Sequence, residues 1–261
     1  MPLSNLIIGY QSCNHRKMGR RFSLYRHTAN SAIGRIRLSH KLLSEAVRAW
    51  TNIREQRPLK SLSTNPIIVG TLEGLSNARP NLEIATIGLD ELNKRRKPNA
   101  KNGIKAIDSK LSEIGHSTIP WLFKVRHNLL HLQKEHPPKK TYKTTLYVIL
   151  RDGYTEQNGR YGLYIGETSK TAEDRFEEHK EGTRSARGLE EHGIQLLYSL
   201  MWAWQKVPQS NHYNLYYESA LHFALKINNQ NGPKTSGNVE ELEEWPEGFQ
   251  SALQRTINVN S

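Results

Sequence analysis

The sequence predicts a mixed α/β (α+β) chain: a small antiparallel sheet of three strands flanked by helices, preceded by a mainly helical, basic N-terminal region. Three observations predict it. Residues 145–150 (Thr-Leu-Tyr-Val-Ile-Leu) and 161–167 (Tyr-Gly-Leu-Tyr-Ile-Gly-Glu) are apolar runs rich in β-branched and aromatic residues. The polar, turn-forming stretch 152–160 separates them, so they form an antiparallel hairpin. A helical pattern follows at 171–179, and 194–200 supplies a third strand. Charge is divided along the chain: residues 1–140 hold 25 Lys+Arg against 9 Asp+Glu, whereas 141–261 hold 12 against 16. Such a split is expected when one region grips a polyanion and another performs chemistry.

The 261 residues suffice for one large domain or two small ones. No apolar run approaches the roughly 18 residues of a membrane span, so no membrane partner is expected. Cys13 is the only cysteine, which excludes disulfide frameworks and cysteine-based zinc sites and points to a reducing compartment. A cytoplasmic or nucleoid-associated protein is expected. Organelle import is the alternative, because residues 1–44 contain eight basic residues and no acidic one.

Taken in order, residues 1–41 read as a flexible basic arm and 42–140 as a helical region for binding or targeting nucleic acid. Leu43, Val47, Trp50 and Ile53 share a helix face from Leu42 to about Glu55, before Pro58. Residues 66–70 (Pro-Ile-Ile-Val-Gly) suggest a short strand. The run Lys94, Arg95, Arg96 and Lys97, closed by Pro98, suits backbone phosphates. Ile104, Ile107, Leu111 and Ile114 mark a helix ending near Gly115, and another runs from Pro120 to Lys134. It carries His127 and His131, four apart, with His136 beyond. That spacing can bind zinc, but no acidic residue or cysteine completes a site. Residues 137–140 (Pro-Pro-Lys-Lys) form a stiff junction, and 141–261 form the second domain.

Within that domain Gly166 ends the second strand, Thr168 or Ser169 offers an N-cap, and Arg175 and His179 share a helix face. Gly182 closes the helix, and a short helix over 183–192 carries Arg184 and Arg187 for phosphate contact. Residues 215–225 read as a buried helix containing Glu218, and 228–238 as a loop dense in turn residues. Cutting a phosphodiester requires a base for water, a cation for the phosphorane and support for the leaving oxygen. Arg175 suits the phosphate, since a guanidinium offers fixed bidentate donors. Glu218 suits a hydrated Mg²⁺. A tyrosine or His179 suits the base.

The Tyr-Ile-Gly at 164–166, the tyrosine at 147 and the helix Arg/His pair resemble the GIY-YIG nuclease superfamily over about residues 142–240. The resemblance implies a metal-dependent DNA endonuclease, with Mg²⁺ (or Mn²⁺) on Glu218. It implies Tyr147 or Tyr164 as base, Arg175 as phosphate anchor with His179 beside it, and a terminal asparagine at Asn238, with Asn229 as the alternative. The first motif departs from the family at Thr145-Leu146-Tyr147, which lacks the glycine. DNA is the expected partner, with RNA also compatible. A catalytically inactive nucleic-acid-binding protein of similar fold is the rival expectation.

Overall fold

The computed structural model describes residues 32–50, 56–135, 144–153, 161–183, 185–186, 188–201, 235–236 and 251. Helices come first: α1 (Ala32–Arg48), α2 (Thr64–Ser76), α3 (Leu82–Arg95), α4 (Pro98–Glu113) and α5 (Leu122–Glu135). The hairpin follows as β1 (Thr145–Arg151) and β2 (Gly162–Thr168), then α6 (Ala172–Lys180), α7 (Leu189–His192), β3 (Gly193–Leu196), α8 (Tyr198–Met201) and β4 (Thr235–Ser236). β1 pairs antiparallel with β2 and β3, giving the expected three-stranded antiparallel sheet flanked by helices. The two-residue β4 adds a parallel edge beside β2.

Several boundaries differ from expectation. α1 begins at Ala32, inside the stretch expected as an arm, and ends at Arg48. Residues 66–70 are not a strand but the middle of α2. A short apolar run does not distinguish a buried strand from a buried helix, and Pro66 is tolerated because first-turn amides lack helical acceptors. α2 is nearly encased, with Pro66, Ile67, Ile68, Gly70, Thr71, Gly74 and Leu75 all buried. At Gly70 a Cβ would lie 2.8 Å from the Ser39 carbonyl oxygen, so glycine lets α1 and α2 touch backbone to backbone. The helix expected over 183–192 is reduced to α7. The third strand stops at Leu196 because the chain turns into α8.

That turn has a distant cause. Glu83, in the first turn of α3, accepts from the backbone amides of Tyr198 (3.2 Å) and Ser199 (2.9 Å) and from the Ser199 hydroxyl (2.6 Å). A carboxylate on one helix thus caps the start of another. Burial pushes the Glu83 carboxyl up to about 7, against these three donors. Leu82 N–H donates to Gln195 Oε1 at 2.6 Å, and Ser117 N–H donates to the Tyr161 hydroxyl at 3.0 Å. Arg48 pairs with Glu173 at 3.2 Å, and Arg79 with Glu177. The expected junction at 137–140 lies outside the described residues, but the helices before it and the sheet after it share one buried core, from Leu43 and Ile67 to Val148 and Ile165.

Strand alternation divides the sheet into two faces. Leu146, Val148, Leu150, Leu163 and Ile165 lie on one, in the core. Tyr147 and Ile149 share the other with Tyr164 and Gly166. α6 lies over this second face, and the candidate site forms between them.

Candidate active site

α6 starts at Thr171, not Thr168 or Ser169. The Thr171 side chain accepts from Asp174 N–H at 3.0 Å, while Thr168 Oγ1 accepts from Lys170 N–H and tightens the turn before it. Glu173 and Asp174 fall in the helix's first turn and His179 and Lys180 in its last, as its dipole favours. Phe176 is buried, and Arg175 and His179 project along one face, one turn apart.

Register places Tyr147 opposite Gly166. A Cβ on Gly166 would lie 2.5 Å from the Tyr147 hydroxyl oxygen, 2.6 Å from Cζ and 2.9 Å from Tyr164 Cε1. Gly166 does not end β2, which continues to Thr168. It leaves room for a tyrosine ring to lie across the strand, one of the uses of glycine inside a sheet. Its φ is not positive, so space and not backbone conformation requires it.

Four of the expected residues meet here. The Tyr147 and His179 ring centroids are 5.9 Å apart, those of Tyr164 and His179 5.5 Å, and those of the two tyrosines 6.1 Å. The Tyr147 hydroxyl is 2.8 Å from His179 Nε2, and Ala186 N–H donates to His179 Nδ1 at 3.2 Å. The amide can only donate, so Nδ1 accepts, Nε2 carries the proton, and Nε2–H donates to Tyr147. Burial, and then the charge of Arg175, push the His179 imidazole down to about 4. His179 is therefore neutral at ordinary pH and its basic nitrogen is occupied.

Tyr147 is fully buried, and burial raises its pKa first of all. Tyr164 raises it further by charge and hydrogen bond, and Arg175 opposes the rise. Because the Tyr147 oxygen accepts from His179, its own proton is the one directed at Tyr164. A one-way chain results: Ala186 N–H to His179, His179 to Tyr147, Tyr147 to Tyr164. Tyr164 is only half-buried. Arg175 is held by Glu178 at 2.9 Å, and Glu178 is also bound by Lys170. Lys170 and Glu178 did not stand out in the sequence as site residues. Their signal was a lysine between strand and helix and a carboxylate three residues after the arginine.

Other expected residues lie elsewhere. Lys94 pairs with Asp90 at 2.6 Å. Arg95 is taken up by the fold: it pairs with Glu91 at 2.8 Å and donates to Thr64 Oγ1 and to the Leu59 and Leu62 carbonyls. Arg96, in the left-handed conformation at φ 52°, ends α3, and both it and Lys97 are exposed. The His127 and His131 rings touch edge to face at 4.5 Å, and burial, then His131 and Arg126, lower the His127 pKa. No three His, Cys, Asp or Glu side chains converge among the described residues. Glu218, Asn229, Asn238, Arg184, Arg187 and His136 lie outside the described residues. No helix among those described is long and apolar enough to cross a membrane. No protein-family model matches the chain, and no curated protein and no solved structure matches it either.

Proposed function

We propose that the chain is a GIY-YIG-type, metal-dependent endonuclease that hydrolyses phosphodiester bonds of DNA. The observation that carries this is the meeting of Tyr147, Tyr164, Arg175 and His179 on one face of the sheet, from two strands and a helix. Arg175, fixed by Glu178, presents a permanent cation for a phosphate oxygen and for the charge of the phosphorane. Tyr164 is the proton acceptor for the attacking water. It is the more accessible of the two tyrosines, and the Tyr147 hydroxyl is directed at its oxygen. His179 holds Tyr147 in the orientation that makes this donation. Glu178, a carboxylate beside the cluster, is committed to Lys170 and Arg175, and the resemblance to the GIY-YIG nucleases implies Glu218 as the residue that would hold the cation. Bound there, hydrated Mg²⁺ or Mn²⁺ supplies positive charge to the phosphate and its leaving oxygen.

The test is incubation of the full chain with supercoiled, branched and single-stranded DNA, with Mg²⁺ or with chelator. Metal-dependent cutting is expected, lost in Arg175→Ala. Glu218→Gln should still bind DNA while cutting falls roughly a hundredfold or more. DNA binding without cutting under every condition would overturn the nuclease proposal in favour of an inactive binding protein.

A further inference from the structure

Arg126, on α5, is only 4% exposed, and its Nε has no hydrogen-bond partner among the described residues. Its Nη2 donates to the Trp50 carbonyl at 2.6 Å, and its guanidinium carbon lies 3.3 Å from the Trp50 ring centroid. Glu83 favours its charge through space, but turns its own oxygens to Tyr198 and Ser199. Burial lowers the Arg126 pKa to about 9, so the group is still a cation at neutral pH. Among the described residues Arg126 has no ion-pair partner; a buried cation in that state is costly, and a bound anion offsets the cost.

This arginine lines a cleft of about 370 Å³. Trp50 and Phe123, edge to face at 6.0 Å, form its apolar wall, and Lys94, Lys124 and His127 stand around it. Lys94 Nζ lies 5.7 Å from the Phe123 ring centroid, and Lys124 is exposed. Among the described residues that line the cleft, Asp90 is the one carboxylate, and it is held by Lys94. Arg126 and Lys124, with Lys94 shared between Asp90 and the Phe123 ring, leave net positive charge beside aromatic surface, which fits a ligand that is both phosphate and flat ring. An acidic peptide would satisfy the cations but leave the ring surface without a stacking partner. The volume lies within the range of about 300–1,000 Å³ usual for small-ligand sites.

We propose that this cleft takes one unpaired nucleotide of a nucleic-acid strand, with phosphate on Arg126, Lys94 and Lys124 and the base against Phe123. The inference rests on the chain acting on nucleic acid. It assigns a substrate-holding site that shares no residue with the tyrosine cluster.

The test is fluorescence anisotropy of the full chain with a short single-stranded DNA in chelator, where no cutting occurs, and with the same strand made abasic. Phe123→Ala should weaken binding of the intact strand at least about fivefold and leave the abasic strand unaffected, since stacking contributes about 1–3 kcal/mol per base. Lys94→Ala/Lys124→Ala, a surface change that spares the fold, should weaken both strands and flatten the salt dependence. Lys101→Ala/Lys105→Ala is the control for exposed lysines elsewhere, with no specific loss expected. Wild-type affinity in both test variants, or equal loss in the control, would overturn the site. Loss with the lysine pair but none with Phe123→Ala would overturn the nucleotide assignment, leaving a phosphate contact only. A chain that binds as expected but never cuts in Mg²⁺ retains this site and loses the nuclease proposal. A chain that cuts while the test variants bind normally loses this site alone.

Discussion

Gly166→Ala is the most direct probe of how the tyrosine cluster is built. In a strand with ordinary backbone angles, exchanging glycine for alanine stabilises by about 0.4–1 kcal/mol, because the unfolded chain loses freedom. Here the added Cβ would lie 2.5 Å and 2.6 Å from Tyr147 Oη and Cζ, where contacts under 3.0 Å force something to move. Tyr147 cannot yield freely, since it is buried and bonded to His179 at 2.8 Å. Overpacking of this kind costs about 1–3 kcal/mol, and the ring must tilt away from His179 to relieve it. The sign therefore reverses, and the net change should be destabilising. In a Tyr147→Ala background the two closest contacts are gone and only that with Tyr164 Cε1, at 2.9 Å, remains, so Gly166→Ala should cost much less. A double-mutant cycle by urea denaturation reads the coupling directly, with about 1–3 kcal/mol expected. DNA cutting should fall in Gly166→Ala even where the protein is fully folded. Equal effects of Gly166→Ala in the two backgrounds would refute the packing explanation.

His179 has a folded pKa lowered to about 4 from 6.5, so its contribution to stability is full above 6.5 and lost as pH falls toward 4. By linkage the loss is up to about 3 kcal/mol, and denaturation series of wild type and His179→Gln should differ in slope across that window. Glu83 behaves oppositely. With its pKa raised from 4.5 to about 7, its contribution is full below 4.5 and lost as pH rises through 7. Glu83→Gln should remove that loss, whereas Glu83→Ala should destabilise at every pH by roughly 3 kcal/mol, since two buried donors and one half-buried donor lose their acceptor. Arg95→Ala should destabilise by about 3 kcal/mol by leaving the buried Glu91 with Arg57 alone, and should leave DNA affinity unchanged in an anisotropy titration. Arg96→Ala/Lys97→Ala should do the reverse, with weaker DNA binding and an unchanged melting curve.

Elements whose pattern is local were legible in the sequence. The hairpin, α4, α5 and α6 follow from alternation and from helical periodicity, although the starts of α4 at Pro98 and of α6 after Thr171 were not read from it. Tyr147 and Tyr164 were legible as residues of neighbouring strands, but the register that puts them on one sheet face was not. The spacing of Arg175 and His179 put them on one helix face. Long-range partners were not legible. Nothing near residue 198 announces that Glu83 will cap α8 and cut the third strand short. Nothing near residue 67 distinguishes a buried helix from a buried strand. The basic run at 94–97 looked uniform, yet Arg95 lies in a buried ion-pair network while its neighbours face outward. By itself the sequence determined the hairpin, the helical character of α4, α5 and α6, and the division of charge. Only the tertiary structure decided that His179 points its N–H at Tyr147, that Gly166 makes room for that ring and that helices and sheet share a core. The physical reason is that periodicity acts over a few residues, whereas hydrogen-bond direction, burial and their pKa consequences depend on groups brought together from distant parts of the chain.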